Sequence, residues 1–255
     1  MIDKVQLAAY ARQLGLNLGQ TEKNYLHIVT LHAVSRLFPD ALIFKGGTAL
    51  MLCHSLPRFS EDLDFNATKD VAKLLDTLKD FLRAQGIVLD IKLSQRSATS
   101  QSYIIRYQGP LYAGTQQTTA KIEMDISLRE KVEIATTASR ILHPYNDVPA
   151  FYIQTMNVQE ILAEKIRAIL TRQKARDVYD AEYLVAKNIG IHRELVNKKL
   201  AYYKKNLDDK ELIAAVEAKR KLWSTELRSL VPLIPDFDEA KKRILASLTN
   251  DKPLR

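Results

Sequence analysis

The stretch "FKGGTALMLCHSLPRFSEDLDF", residues 44–65, joins a glycine pair to a D-x-D motif through a run of apolar residues. Before the glycines, "ALIF" (41–44) has the short apolar pattern of a buried strand, and "DLDF" (62–65) at the other end, with its alternating residues, is typical of another strand. Between them, "TALMLCHSL" (48–56) has the pattern of a helix that ends at Pro57. The stretch therefore predicts a strand, a Gly-Gly turn, a helix and a second strand in succession.

The two ends of this stretch carry residue types suited to a phosphate and to a cation. Glycines after a strand let the backbone approach a phosphate, and the N-terminus of the next helix, which Thr48 can cap, directs N–H groups at the same anion. Asp62 and Asp64 should lie on one face of their strand, because successive side chains alternate. Such close carboxylates repel each other unless a cation lies between them, and their oxygens suit Mg²⁺. By itself, the pair also fits an ordinary acidic loop.

A third carboxylate could come from the alternating segment "KIEMDIS" (121–127). Its apolar residues share one face, and Asp125 lies on the other face with Lys121 and Glu123. If this segment is a neighbouring strand, Asp125 completes the acidic site. A solvated strand face is the alternative, which fits Glu123 better than Asp125.

The rest of the chain divides into a mixed part and a helical part. Helical spacing predicts helices over residues 21–37 and 69–86. Five strand-like segments follow, at residues 87–94, 102–109, 119–127, 131–144 and 151–156. From Asn157 onward the pattern is helical. We therefore predict an α/β domain over residues 1–153, with N-terminal helices, and a helical domain over residues 154–255.

Composition excludes some classes of protein and favours others. The 255 residues are 46% hydrophobic and 27% charged, as expected for a globular protein. No apolar run is long enough to span a bilayer and the start lacks a secretory pattern, so we expect a cytoplasmic protein without membrane contact. The single cysteine, Cys53, excludes an intramolecular disulfide and a cysteine-rich zinc site.

The charge of the chain favours contact with phosphates. The net charge is +8 and the pI is about 9.4, which suits nucleotides or nucleic acid but also fits a merely basic surface. Residues 196–223 combine lysines with Tyr202, Tyr203 and Trp223. This segment could hold a nucleic acid, or it could be the solvated face of amphipathic helices.

Five segments together resemble the AbiEii/AbiGii toxin family of nucleotidyltransferases, which is related to the MenT toxins. They are "KGGTAL" (45–50), "RFSEDLDF" (58–65), "IEMDI" (122–126), "ILAEKIRAILTR" (161–172) and "RDVYD" (176–180). The family belongs to the DNA polymerase β-like nucleotidyltransferase superfamily, and the segments occur in the family's order. The resemblance implies an α/β (α+β) fold, in which a polymerase β-like core with a mixed sheet precedes a C-terminal helical domain that contributes to the site.

The resemblance also implies roles for individual residues. Mg²⁺ would be held by Asp62, Asp64 and Asp125. Lys165 matches the motif lysine that contacts the nucleotide's phosphates, and Asp177 matches the motif aspartate needed for activity. The residues implied in nucleotide binding are Lys45, Gly46, Gly47, Thr48, Arg58, Ser60 and Lys165. Many superfamily members have Gly-Ser in the loop, and here Thr48 after the Gly-Gly pair would replace the serine hydroxyl.

Three of these assignments have alternatives in the residue pattern. Arg58 could bind phosphate, or it could neutralise Asp62. Lys165 could be a plain surface lysine. Arg176 and Asp177 could form a pair that braces two helices.

The resemblance implies an Mg²⁺-dependent toxin of a type IV toxin–antitoxin (abortive infection) system that transfers a nucleoside monophosphate from NTP. The acceptor would be RNA, such as the 3′ end of tRNA, and a cognate antitoxin is expected to be encoded nearby. One alternative is transfer to a protein hydroxyl. Another is a non-catalytic nucleotide- or RNA-binding module, against which the intact set of carboxylates and the lysine argues.

Overall fold

The chain forms two compact units that exchange short segments. The computed structural model describes residues 1–71, 73–129 and 131–248. The first unit, here called the sheet unit, comprises Met1–His54, Ser60–Lys131 and Thr136–Thr155. The second, here called the helical unit, comprises Ser55–Phe59, Val132–Ala135 and the described chain from Met156 onward. The predicted domains, residues 1–153 and 154–255, do not include this exchange.

The sheet unit contains four helices and seven strands among its described residues. In chain order they are α1 (Lys4–Leu14), α2 (Leu18–Leu37), β1 (Leu42–Lys45), α3 (Gly46–His54), β2 (Asp62–Ala67), α4 (Leu74–Ala84), β3 (Leu89–Arg96), β4 (Ser100–Tyr107), β5 (Ala120–Ser127), β6 (Thr137–Ile141) and β7 (Phe151–Thr155). The first two helices begin with capping boxes, in which Asp3 accepts the N–H of Gln6 and Asn17 that of Gln20.

The strands form one mixed sheet in the order β3-β4-β5-β2-β1-β7-β6. The pairs β2–β5 and β1–β7 are parallel, and the remaining neighbours are antiparallel. The predicted mixed α/β fold is therefore confirmed. The carboxylate-bearing strands β2 and β5, which are far apart in the sequence, are neighbours at the centre of this sheet.

Alternation along these two strands anchors them in the core. Leu63 and Phe65 on β2 are buried, as are Ile122, Met124 and Ile126 on β5. Helix α2 packs against β5 and β7. A shift of one residue in either strand would expose this apolar set, so burial fixes which side chains face outward.

Three helix predictions differ from the structure at their ends. The helix predicted over residues 21–37 is α2, which begins at Leu18. The helix after the glycines begins at Gly46 instead of residue 48 and ends at His54, and Ser55 then takes a left-handed conformation with φ +58°. The helix predicted over residues 69–86 is α4, which begins only at Leu74.

The strand predicted over residues 131–144 is mostly wrong. Only Thr137–Ile141 form a strand, β6. Residues 132–135 belong to the helical unit, where the buried carboxylate of Glu160 accepts the backbone N–H groups of Glu133 and Ile134 at 3.0 Å. Apolar and polar residues do alternate in this segment. Its backbone N–H groups, however, bond to the Glu160 side chain instead of to a neighbouring strand.

The helical unit contains six helices among its described residues. They are α5 (Val158–Thr171), α6 (Ala175–Ala186), α7 (Arg193–Leu200), α8 (Asp209–Glu217), α9 (Arg220–Leu227) and α10 (Phe237–Leu248). Asn157 caps α5 by accepting the N–H of Gln159, and Ile161, Ile166 and Ile169 form its buried stripe. Within the described ranges of both units, no helix has the length and apolar character needed to cross a membrane.

Candidate active site

The turn between β1 and α3 brings the backbone against a carboxylate. Gly46 has φ +73°, a conformation that favours glycine. A Cβ added to Gly46 would lie 2.1 Å from Oδ2 of Asp64 and 2.7 Å from its Cγ. Position 46 therefore requires glycine for two reasons, and the Asp64 carboxylate occupies the space that a side chain there would fill. The first turn of α3 and the D-x-D motif form one local structure.

The carboxylates of β2 lie beside a third on the parallel strand β5. Asp62 and Asp64 are partly exposed, whereas the residues between and after them are buried. Asp64 is in register with Asp125, and Asp62 with Glu123. Residues opposite each other on neighbouring strands point to the same face. Glu123 is exposed and forms an ion pair with Lys121. Of the two polar residues on β5, Asp125 is therefore the better placed to share a cation with Asp64.

The donor chemistry of this face suits a hard cation. Carboxylate oxygens are the ligands that Mg²⁺ takes in proteins, commonly one or two of them together with phosphate oxygens. In the part of the chain that the structure describes, no three acidic, histidine or cysteine side chains converge closely enough to hold a metal by themselves. The roles of the aspartates in metal binding stay predictions.

Two side chains hold the start of β2 and the residue before it, where the chain extends past the end of β1. The β1–β2 ladder ends with the pair Lys45–Asp64, so the backbone before Asp64 has no partner on β1. The Thr48 hydroxyl donates to the carbonyl oxygen of Asp62 at 2.5 Å. Nε2 of His27 lies 3.0 Å from the carbonyl oxygen of Glu61. Side chains from α2 and α3 thus replace the missing strand.

These contacts change the expectation for Thr48. The residue is fully buried inside α3 and does not cap it, because its hydroxyl bonds to Asp62 on the next strand. Since the hydroxyl has one hydrogen, a phosphate contact in this conformation would use the Thr48 backbone N–H. The phosphate-binding roles of Thr48, Lys45, Gly47 and Ser60 stay predictions; all four residues are buried in the sheet unit.

Burial fixes the protonation of His27. The pKa of His27 is lowered to about 3 because burial disfavours the charged ring. Since a carbonyl oxygen accepts at Nε2, the neutral ring carries its hydrogen there, and the buried Nδ1 has no hydrogen-bond partner among the described residues. His27 was not a sequence candidate, because its partner is a backbone atom.

The helical unit contains a network of five alternating charges, four of them buried and one, Arg172, half exposed. Nζ of Lys165 lies 3.1 Å from Oδ1 of Asp177 and 2.8 Å from Oδ2 of Asp180. Arg172 binds Asp177 through Nε at 2.7 Å and Nη2 at 2.8 Å. Arg58 binds Asp180 through Nε at 2.6 Å and Nη2 at 2.7 Å. We call these five residues the charge network.

Both carboxylates of the charge network are ionised. Burial opposes ionisation of Asp177, but the charges of Lys165 and Arg172 outweigh it and hold the pKa of this carboxyl well below its usual range. Arg58 and Lys165 lower the pKa of Asp180 in the same way against its burial. Lys165 is therefore not a plain surface lysine, since its side chain is only 9% exposed and is paired twice.

The charge network also answers the questions about Arg58 and Asp177. Arg58 binds Asp180, which neither sequence alternative named, and its phosphate-binding role stays a prediction. Asp177 is bound by Arg172 and Lys165. Spacing contained part of this signal: Lys165 and Arg172 are two helical turns apart, and Asp177 and Asp180 are one turn apart on α6.

Solved structures share this fold. JHP933 from Helicobacter pylori has 22% identity and a TM-score of 0.62, with 91% of each chain covered. MenT4, the nucleotidyltransferase toxin Rv2826c from Mycobacterium tuberculosis H37Rv, has 17% identity and a TM-score of 0.70, covering 100% of this chain and 91% of its own. A putative nucleotidyltransferase from H. pylori has 22% identity and a TM-score of 0.59, with 90% and 94% covered.

The sequence comparisons identify the family. A search of curated proteins finds no significant match. The family model described as nucleotidyl transferase AbiEii toxin, type IV TA system, matches residues 31–243, which is most of the chain. The predicted resemblance is confirmed, and membership implies a nucleotide substrate and an antitoxin partner. With its mixed sheet and its D-x-D strand against the glycine turn, the chain belongs to the AbiEii family of nucleotidyltransferase toxins.

Proposed function

We propose that this nucleotidyltransferase uses Mg²⁺ to transfer a nucleoside monophosphate from NTP to a hydroxyl of an RNA acceptor, such as the 3′ end of tRNA, with release of pyrophosphate, in the cytoplasm. The observation that carries the proposal is the contact between the Asp64 carboxylate and the Gly46 turn. It joins, in one local structure, a carboxylate suited to a metal and a helix start suited to a phosphate. A family antitoxin is the expected partner of this activity.

The sheet unit would provide the metal and phosphate contacts. Asp62, Asp64 and Asp125 would hold Mg²⁺, which, when bound, reduces the negative charge on the transferring phosphoryl group. The backbone N–H groups at the start of α3 would bind phosphate oxygens, since they have no partner within the helix. Fixing the carbonyls of residues 61 and 62 keeps the carboxylates in place before substrate arrives.

For Lys165 in the helical unit, the family resemblance implies contact with the nucleotide's phosphates. Lys165 has a third N–H beyond those that meet Asp177 and Asp180, and its ammonium would act as a point charge on the triphosphate. Among the described residues, Asp177 accepts from Lys165 and Arg172 and is fully buried, so its proposed part in the activity is to hold these two cations.

RNA is the acceptor class that the surface of the helical unit favours. Tyr202 and Tyr203 are 55% and 38% exposed, with Lys204 directly after them. Exposed aromatic rings beside cations are typical of surfaces on which unpaired bases stack. This observation supports RNA over a protein acceptor.

The test is to incubate the protein with each labelled NTP, total tRNA and either Mg²⁺ or a chelator. We expect label in RNA only with Mg²⁺, and loss of labelling in Asp62→Asn with Asp64→Asn. Asp80→Asn, an exposed carboxylate on α4, is the matched control and should keep activity. Label that migrates with protein would replace the RNA acceptor by a protein hydroxyl. No incorporation from any NTP would overturn the proposed function.

A further inference from the structure

We propose that Asp180 and Arg58 are positioning residues for Lys165, and that their buried salt bridge holds the ammonium so that one N–H remains for the nucleotide's phosphates. The inference rests on the proposed function, in which Lys165 contacts the triphosphate. It assigns to Arg58 a task that differs from direct phosphate binding.

The contacts of Lys165 leave room for one ligand bond. An ammonium has three N–H donors. Two of them meet Asp177 at 3.1 Å and Asp180 at 2.8 Å, and the side chain is 9% exposed. Two fixed acceptors restrict rotation about the terminal bond, so the remaining donor has a defined direction. A lysine with only one acceptor would sample several directions and bind a phosphate less well.

Asp180 can fix the ammonium because Arg58 fixes Asp180. The Asp180 side chain is 0% exposed and that of Arg58 is 2% exposed. Arg58 grips both carboxylate oxygens, and its Nη1 donates to the carbonyl oxygen of Phe59 at 2.9 Å. Bidentate pairs of this kind restrict orientation as well as distance. Arg58 therefore fixes the position and the orientation of the Asp180 carboxylate that Lys165 contacts.

Charge and position make opposite predictions when Asp180 is neutralised. The charge network has three cations and two carboxylates, so Asp180→Asn increases the positive excess. If charge alone governed nucleotide binding, KM for NTP would fall in this variant. If Asp180 positions Lys165, KM rises despite the added positive charge, because the ammonium loses one of its two fixed acceptors.

The decisive variant replaces the whole pair by apolar residues. Arg58→Met with Asp180→Leu leaves the network's net charge unchanged and leaves no unpaired charge from the pair, a replacement that buried ion pairs often tolerate. We expect its melting temperature to stay close to that of the wild type while KM for NTP rises about tenfold, the usual effect of one charge-assisted hydrogen bond. Arg58→Lys keeps the charge but loses the bidentate grip, and should give an intermediate KM.

A matched control is the pair Arg243–Glu182, whose carboxylate is also on α6 and whose ions are 2.6 Å apart. Arg243→Met with Glu182→Leu should leave KM for NTP unchanged. Steady-state transfer of labelled NTP, with thermal melting of each variant, gives every quantity needed. If the wild type transfers and the folded Arg58→Met, Asp180→Leu variant has the wild-type KM, the positioning role is overturned alone. If the wild type transfers nothing, the proposed function fails, and the inference fails with it.

Discussion

His27 should make the stability of the sheet unit depend on pH. The ring is fully buried and its pKa is lowered to about 3, against about 6.5 for a histidine in an unfolded chain. Because the unfolded state binds the proton more tightly, the stabilisation is fully present above about pH 6.5 and is lost as the pH falls below it. The variant His27→Gln keeps an N–H donor for the carbonyl of Glu61 and removes the titration.

The expected size follows from the two pKa values. One pKa unit corresponds to about 1.4 kcal/mol, so lowering the pH from about 7.5 to about 5 should remove about 2 kcal/mol of unfolding free energy through His27. The partly buried His32 and His143 also have lowered pKa values, caused mainly by burial. His32 and His143 lower the unfolding free energy at acid pH equally in the wild type and in His27→Gln. The difference between the two proteins therefore measures the contribution of His27.

Hydrogen exchange of the α2 amides is the suitable assay, because this helix is central to the core of the sheet unit and reports its opening. We expect the opening free energy of the wild type to fall about 2 kcal/mol further than that of His27→Gln between the two pH values. Equal pH dependence in the two proteins would refute the reasoning, since it would mean that His27 is protonated as easily in the folded unit as in the unfolded chain.

Two substitutions test the turn and the strand beside it. Thr48→Val removes the hydroxyl that holds the Asp62 carbonyl and should lower the transfer rate about tenfold, as expected for about 1.4 kcal/mol from an unsatisfied buried carbonyl. Thr48→Ser keeps a hydroxyl and should transfer at close to the wild-type rate. Equal transfer rates in the Thr48→Val and Thr48→Ser variants would contradict this prediction. Gly46→Ala places a Cβ 2.1 Å from Oδ2 of Asp64 and should reduce transfer about a hundredfold by displacing the carboxylate. Gly86→Ala is its control in the same assay, because Gly86 has φ +74° with open space around it, so only backbone strain is shared.

Much of the fold could be predicted because apolar periodicity reports burial directly. Leu63 and Phe65 alternate with Asp62 and Asp64, and this alternation predicted both the strand and its buried face. The same signal failed at residues 131–136, where the segment bonds to Glu160 instead of a neighbouring strand. A local pattern shows that a residue is buried, but it does not show what buries it.

The site was harder to predict where the partners are distant or belong to the backbone. Arg58 and Asp180 are 122 residues apart, and a single ion pair leaves no periodic trace. Thr48 and His27 act on carbonyl oxygens, which every residue possesses, so no residue type marks them. The register of Asp125 beside Asp64 depends on strand order, which the chemistry of the carboxylates suggested but periodicity could not supply.

The segment Ser55–Phe59 affects how the protein folds during its synthesis. It is translated early, yet its arginine must wait for Asp180 on α6 before its charge is neutralised. The nascent chain therefore carries an unpaired guanidinium through most of its synthesis, and contacts across such long sequence separations form late. A fragment ending after Thr155 would keep Arg58 without its carboxylate. Completion of the enzyme is thus tied to emergence of its C-terminal helices, and a truncated product is expected to stay incompletely folded.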